Sequence, residues 1–576
     1  MINNFAVGID LGTSTSEISV YYNNEAHVVT DPVSQSPIVP SIAAINSKSE
    51  LVVGESAIPY MGVSGVREVK RLMGTDSMVK LGEKSYKPEA ISSLVLRQLK
   101  ENAESSLGIT IKDVVISVPA NFDDPARRAT LNAGELAGLN VLNLINEPTA
   151  AALAFGIQNI DTEEQLVVFD FGGGTLDITI LEMMEGILDV KCSYGDAKLG
   201  GKDFDDIMIG LIVEKFLNSH SKAQITNKER LILKPYAEKA KINLSKHETH
   251  LVKVPNFIVQ QGLPIDLEVE ITKKDFETAI SPLLDRTRDC IAKTLDLKQV
   301  KPEAIDRVLL VGGTTYMPII RNLVAEVFGK EPKADVNPDL AVCMGASVKA
   351  AMINGLIDSK TGMIVTDVTS HGVGVEVLGG FDFPLMVYDP LIEPNTTIPY
   401  STKKTYYLVH HEQESLIIKI LQDHTGHARF PQDAIDTGIH GRIENIPKSK
   451  KEIPHAVEVD FSYSHLGLIQ LTASIPETGQ KVDISYDPSS IIMSEEEKEE
   501  SLEDVQELWK TSPYYQENDS LIGKAEKYIE ETEGKLRKKL EGALSNLKSS
   551  IKKGKETKIE SAKNELIDIL FEIENQ

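Results

Sequence analysis

A chain of 576 residues is too long for one hydrophobic core, and length alone implies about three or four domains. A formal charge of -26 leaves no basic surface to neutralise a run of phosphates, which excludes nucleic acid and anionic membrane as expected partners. No apolar run is long enough to cross a bilayer, and Cys192, Cys290 and Cys343 are too few and too scattered for a disulfide framework or a metal site, so they read as reduced packing residues.

The start, Met1 to Phe5, carries no basic segment before an apolar core, and the expected location is the cytoplasm. The first predicted element is an apolar strand ending in Asp10, which passes through Gly12, Thr13, Ser14 and Thr15 into a second alternating strand, Ser16 to Val20. Strand Asp113 to Val118 and helix Ala126 to Leu136 follow. Then the opening turn recurs: Leu166 to Asp170, Gly172-Gly173-Gly174-Thr175, and a returning strand Asp177 to Leu181. A helix over Asp275 to Leu295 and a strand over Arg307 to Val311 complete an α/β pattern that reaches residue 358.

Polar residues and Gly362 break the rhythm between Asp358 and Asp367, which reads as a linker. From Val368 to Tyr486 short alternating runs, among them Ser415 to Leu421, Val457 to Phe461 and Leu468 to Ile475, indicate a compact β-sandwich. Ser494 followed by Glu495, Glu496 and Glu497 is a capping-box start, and Ile522, Ala525, Ile529, Leu536, Leu540, Leu544 and Leu547 at helical spacing predict a helical bundle.

The repeated turn carries the chemistry. A glycine-rich hairpin points backbone N–H groups into one concavity, which favours an anion. An aspartate beside a phosphate requires a divalent cation between them. Two facing copies therefore predict one nucleoside triphosphate and its magnesium held from both sides. Neither copy is a Walker P-loop or a dinucleotide-binding fingerprint.

Over essentially its whole length the chain resembles the 70-kDa heat-shock chaperone family. The resemblance is carried by Val39-Pro-Ser-Ile42, Val69-Lys70-Arg71-Leu72-Met73-Gly74, Val115-Ile-Ser-Val-Pro119-Ala-Asn-Phe122, Ile145-Asn-Glu147-Pro148-Thr149, Ala237-Glu238-Lys239-Ala240-Lys241, Val311-Gly312-Gly313-Thr314, Val336-Asn-Pro-Asp339, Asp367-Val-Thr369 and Asn395-Thr-Thr-Ile-Pro399. It implies an actin-like two-lobed ATPase domain (1–358), a linker (359–368), a β-sandwich that binds peptide (369–490) and a helical lid (491–576).

It further implies that Gly12, Thr13, Ser14 and Thr15 with Gly172, Gly173, Gly174 and Thr175 wrap the phosphates of ATP, and that Asp10 and Asp170 hold Mg²⁺ through water, with K⁺ a second candidate cation. Lys70 meets the γ-phosphate and attacking water, Glu147 and Thr175 position that water, and Gly201, Glu238, Lys241, Ser245, Gly312, Gly313, Thr314 and Asp339 hold the nucleoside and its surroundings. Pro119, Arg127 and Asp367 relay the nucleotide state. Val373, Val375, Leu378, Tyr406, Val409, Gln413, Leu416 and Ile418 surround the peptide pocket, with Leu378 and Val409 as an arch. The implied partners are extended apolar segments of unfolded proteins and a J-domain co-chaperone.

Four departures mark a specialised bacterial member. The stretch between Gly74 and Ser92 is short, which leaves the need for a conventional nucleotide-exchange factor open. Met363-Ile364-Val365-Thr366 replaces consecutive linker leucines. Asn143 replaces an arginine that meets the J-domain, with no positive charge expected nearby. The chain ends soon after the lid helices, without an acidic recruitment motif. Two rival functions, an actin-like small-molecule kinase and a filament-forming protein, have no use for the segment beyond the linker.

Overall fold

The computed structural model describes residues 4–31, 34–61, 63–184, 186–260, 263–332, 337–357, 363–379, 385–449, 452–464, 466–486 and 493–512, then 525, 529, 534–552, 561–563, 565–566 and 569–570. Ile522, Val336 and linker residues 358–362 lie outside the described residues.

Both predicted hairpins form. Ala6–Leu11 pairs antiparallel with Thr15–Tyr22, and Glu164–Phe171 with Leu176–Met184. Each hairpin is the centre of its own sheet. Ala6–Leu11 takes Asp113–Val118 as a parallel neighbour, and Glu164–Phe171 takes Arg307–Val311. The register repeats as well, with Asp10 opposite Glu17 and Asp170 opposite Asp177. Parallel strands need a crossover, and helix Asp124–Leu136 supplies it between Asp113–Val118 and Asn140–Asn146.

Helices Glu147–Gly156 and Ala341–Ile353 are built from small apolar residues and are buried on nearly every side. Gly345 lets them meet, since a Cβ there would lie 1.7 Å from the Ala150 carbonyl oxygen. This tight seam joins the two sheets and sets the hairpins face to face.

Two expectations need amendment. The helix over Asp275 to Leu295 is two helices, Lys273–Ala279 and Ser281–Leu297, because Pro282 lacks an N–H and clashes with the preceding turn. The linker is also more than a polar tether. Ile364–Val365 adds a parallel edge strand to the second lobe beside Ile187 and Leu188, and Met363 is fully buried. The unpaired backbone of a sheet edge accepts such a strand, so burial of Met363 serves where leucines were expected.

The segment after the linker forms eight strands in one hydrogen-bonded path, from Leu385–Ile392 at one end to Tyr400–Tyr407 at the other. Gln480–Tyr486 joins the two halves, which fold over a core that includes Val373, Ile420, Phe461 and Leu471. Ser494 caps helix Glu495–Lys510 as a capping box. That helix lies on the first lobe, where Met493, Val505 and Trp509 enter the lobe's own apolar core. Helix Gly534–Lys552 turns Leu540, Leu544 and Leu547 onto Ala562, Leu566 and Leu570 as a separate small cluster.

Candidate functional site: a nucleotide cleft tied to a docked β unit

A cleft of about 600 Å³ opens between the hairpins. Every residue expected at the nucleotide or its cation lines it, from Asp10 and the turn Gly12 to Thr15 through Lys70, Glu147, Asp170, Gly172 to Thr175 and Gly201 to Glu238, Lys241, Ser245, Gly312 to Thr314 and Asp339. The hairpin tips touch. A Cβ on Gly173 would lie 2.2 Å from the Ser14 hydroxyl, and one on Gly174 2.6 Å from the Thr13 hydroxyl. Glycine here is what allows the two turns to close around one ligand.

The floor of the cleft is dominated by buried acids. Lys70 and Glu147 are both buried and their side chains are hydrogen-bonded. Burial pulls the Lys70 pKa down, but Glu147 and Asp10 outweigh it and hold the ammonium above its ordinary value. Burial raises Asp10 against the opposing Lys70 and the Ser117 hydroxyl, which donates to it at 2.6 Å. Asp170 stands well above its ordinary value through burial, Glu147 and Asp177. Asp177 itself is pushed to about 8 by burial and then Glu147. Glu17, opposite Asp10, is raised by burial and by Asp10.

Glu17 and Asp177 were not picked out from the sequence; the signal was their position two residues beyond the two turn threonines. Arg71 was likewise missed, although it follows Lys70 directly. Its guanidinium donates to the Gly174 carbonyl and, at 2.9 Å, to Asp203 of the other lobe. Arg67–Glu238 at 3.2 Å and Lys202–Glu68 at 3.0 Å also cross between the lobes. At the far end Lys241 donates to the Gly201 carbonyl at 3.0 Å and pairs with Asp205 at 2.8 Å. The Thr314 hydroxyl donates to the Gly172 carbonyl at 2.8 Å, and Tyr316 donates to Asp339 at 3.0 Å.

Two of the three expected relay residues, Arg127 and Asp367, share one network. Arg127 donates to the Asn146 side-chain oxygen at 2.7 Å, and Asn146 donates to Asp367 at 2.8 Å. Asn146 immediately precedes Glu147, so one helix start carries the linker contact and the Lys70 contact side by side. Pro119 lines a second cavity, of about 780 Å³, behind the hairpins.

The β unit is docked on the lobes. Ser370 donates to the Ala120 carbonyl, Asp124 accepts from the Ile469 backbone at 2.8 Å, and Asn395 accepts from the Ser193 backbone at 2.8 Å. The helix Glu495–Lys510 adds Lys84–Asp504 at 2.9 Å and Lys87–Glu497 at 3.0 Å. Trp509 is packing, 2% exposed, with the Arg97 guanidinium 4.8 Å from its ring.

Of the residues expected around a peptide, Val373, Val375 and Ile418 lie in the core of the β unit. Leu416 and Tyr406 pack partly buried against it, and the Tyr406 hydroxyl donates to Asp389 at 2.6 Å. Leu378 and Val409 are exposed at 43% and 64%, and Gln413 accepts from the Val409 backbone at 3.0 Å. Asn143 is buried in a small cavity of about 110 Å³ that also admits Lys349, Arg127 and Asp367. The expectation that no positive charge lies near Asn143 is therefore amended, because Lys349 reaches that site from a helix over 200 residues downstream.

A family model described as Hsp70 protein matches residues 6–81 and 75–575. The two segments meet inside the short stretch between Gly74 and Ser92. The chaperone protein DnaK of Thermosipho melanesiensis is 34% identical over 571 residues, covering 98% of this chain and 92% of the relative. That of Thermotoga petrophila is 35% identical, covering 95% and 91%, and that of Metamycoplasma hominis is 36% identical, covering 93% and 88%.

These matches make the protein an ATP-hydrolysing molecular chaperone, and set aside the small-molecule kinase and the filament-forming protein. The chain belongs to the Hsp70 family. With the family come a two-lobed ATPase domain, a β-sandwich and a helical lid. No helix among the described residues is long and apolar enough to cross a membrane.

Proposed function

We propose that ATP binding in the cleft holds the β unit and lid helix docked, and that hydrolysis releases them onto an extended apolar peptide. The observation that carries this is the run Asp367–Asn146 beside Glu147–Lys70, which connects the linker to the γ-phosphate site through two adjacent residues. Domain limits of 1–358, 359–368, 369–490 and 491–576 fit this division of labour.

Around the γ-phosphate, Lys70 neutralises charge as it develops, while Glu147 and Thr175 orient the attacking water. Four buried carboxylates, Glu17, Glu147, Asp170 and Asp177, and the partly buried Asp10 gather at and just behind the cleft floor around one buried ammonium, Lys70. That donor set fits a divalent cation. Asp10 and Asp170 would hold Mg²⁺ through its waters, because this small hard cation dehydrates reluctantly. Bound Mg²⁺ would offset phosphate charge and fix its orientation; K⁺ is a candidate for the remaining acids. Glu238, Lys241, Ser245, Gly313 and Thr314 hold ribose and adenine, and Gly12 to Thr15 with Gly172 to Thr175 hold the phosphates. The bacterial DnaK relatives support a cytoplasmic location and partnership with unfolded polypeptides and co-chaperones.

The peptide pocket is proposed at Val373, Val375, Leu378, Tyr406, Val409, Gln413, Leu416 and Ile418. Leu416 occupies a position where the family commonly has a smaller β-branched residue. One added methylene shrinks the cavity, and overfilling a packed site costs roughly 1–3 kcal/mol. Peptides with central Val or Ala should bind better than those with central Leu, and Leu416→Val should restore leucine binding. A peptide array in which leucine already binds best, with no change in the variant, contradicts the pocket assignment.

The J-domain partner is expected near Asn143. An arginine there would give a charge-assisted hydrogen bond worth roughly 1.5–3 kcal/mol. Asn143 gives only a neutral one, and burial lowers the pKa of Lys349 against the pull of Asp367. A non-cognate J-domain should therefore stimulate single-turnover hydrolysis weakly, and Asn143→Arg should improve it several-fold. Strong stimulation of the wild type at low J-domain concentration, with no gain in the variant, rejects this assignment.

A further inference from the structure

We propose that His371, stacked on His424, forms a pH-sensitive latch on domain docking: the β unit docks with the His371 imidazole neutral, and acidification releases it. The proposal rests on the reading that ATP drives docking. His371 lies just before strand Gly372–Gly379 and His424 just after Ser415–Asp423. Those strands pair with Gly372 opposite Asp423, which stacks the two rings 3.7 Å apart at 16°.

His371 is 9% exposed, and its Nε2 lies 3.0 Å from the carbonyl oxygen of Asn121 in the first lobe. A carbonyl only accepts, so Nε2 carries the proton. Nδ1 is buried without a hydrogen-bond partner. A second proton would put an unpaired donor and a charge into the interface.

The surrounding charges do not offset that cost. Arg127 and His424 disfavour the cation, while Asp423 and the Asn121 carbonyl favour it. Both rings line the cavity behind the hairpins, where five acids (Asp123, Asp177, Asp196, Asp203 and Asp289) stand against five bases (Lys70, Arg71, Lys198, Arg286 and Lys293). Burial decides the outcome at His371, taking it down to about 3, whereas His424 stands at an exposed position beside Asp423 and contributes mainly through its stack on His371.

The sign follows from linkage. A group whose pKa is depressed in the docked form binds more protons undocked, so docking weakens as pH falls through the ordinary histidine value of about 6.5. At pH 5.5 His371 alone lowers the docking equilibrium about tenfold relative to pH 7.5. Acid stress would then move the chaperone toward its peptide-retaining form.

Trp509 is the chain's single tryptophan and is buried by docking, so its fluorescence reads the equilibrium in the full-length protein. ATP should change that fluorescence at pH 7.5 in wild type and in His371→Leu/His424→Leu. Between pH 7.5 and 5.5 the docked-to-undocked ratio should fall about tenfold or more in wild type and less than twofold in the double variant. Equal pH dependence in both overturns the latch while leaving ATP-driven docking intact. No ATP response in wild type at pH 7.5 overturns both. Histidine-ring NMR decides the case even where the variant docks poorly: the His371 pKa should be near its ordinary value with ADP and far below it with ATP, and the same value in both states overturns the proposal.

Discussion

Lys70→Ala should bind ATP with nearly wild-type affinity and hydrolyse it about 100-fold more slowly or worse in a single turnover. The loss corresponds to about 3 kcal/mol of transition-state stabilisation, because the ammonium acts on charge that develops as the phosphoryl group transfers. Glu147 would then be buried without its partner. Burial already raises its pKa, so it can take a proton rather than unfold the cleft, at a further cost to water positioning. Nucleotide-saturated hydrolysis at the wild-type rate would show that Lys70 does not face the γ-phosphate.

Trp509→Ala should abolish most of the ATP-induced acceleration of peptide release, and ATP affinity should fall with it, because docking and ATP binding are reciprocally coupled. Truncating a buried tryptophan costs roughly 3–5 kcal/mol, enough to move the docking equilibrium 100-fold or more. The ion pairs beside it are weaker anchors: Lys84 is 60% exposed in its pair with Asp504, and exposed pairs contribute little. Raising the salt concentration should therefore weaken docking far less than this one substitution. The check is the dissociation rate of a fluorescent peptide on ATP addition, and a variant that matches wild type would make the Trp509 contact incidental.

Much of this was legible in the residues themselves. The repeated turn announced two hairpins because Asp10 and Asp170 stand at the same point of two alternating runs, and local periodicity determines hairpins. Pro282 was visible inside the helix expected over Asp275 to Leu295, and it ends one helix and starts another there. Non-local facts were not legible. Nothing in the spacing of Met363 to Thr366 says that a sheet edge waits beside Ile187. Trp509 sits in an amphipathic helix that could have faced either the β unit or the lobe, and only docking chooses. The acids Glu17 and Asp177 become a pair with Asp10 and Asp170 only once strand register places them opposite. Lys349 reaches the Asn143 cavity through packing alone.

The central claim is that nucleotide state at the hairpins controls peptide affinity in the β unit. A fluorescent apolar peptide bound to the ADP-loaded chain should dissociate at least about 100-fold faster on addition of ATP, given a docking preference of roughly 3 kcal/mol. It should do so equally in Lys70→Ala, where ATP binds but turns over slowly. Identical dissociation with ADP and ATP, in a chain shown to bind both, would contradict the account.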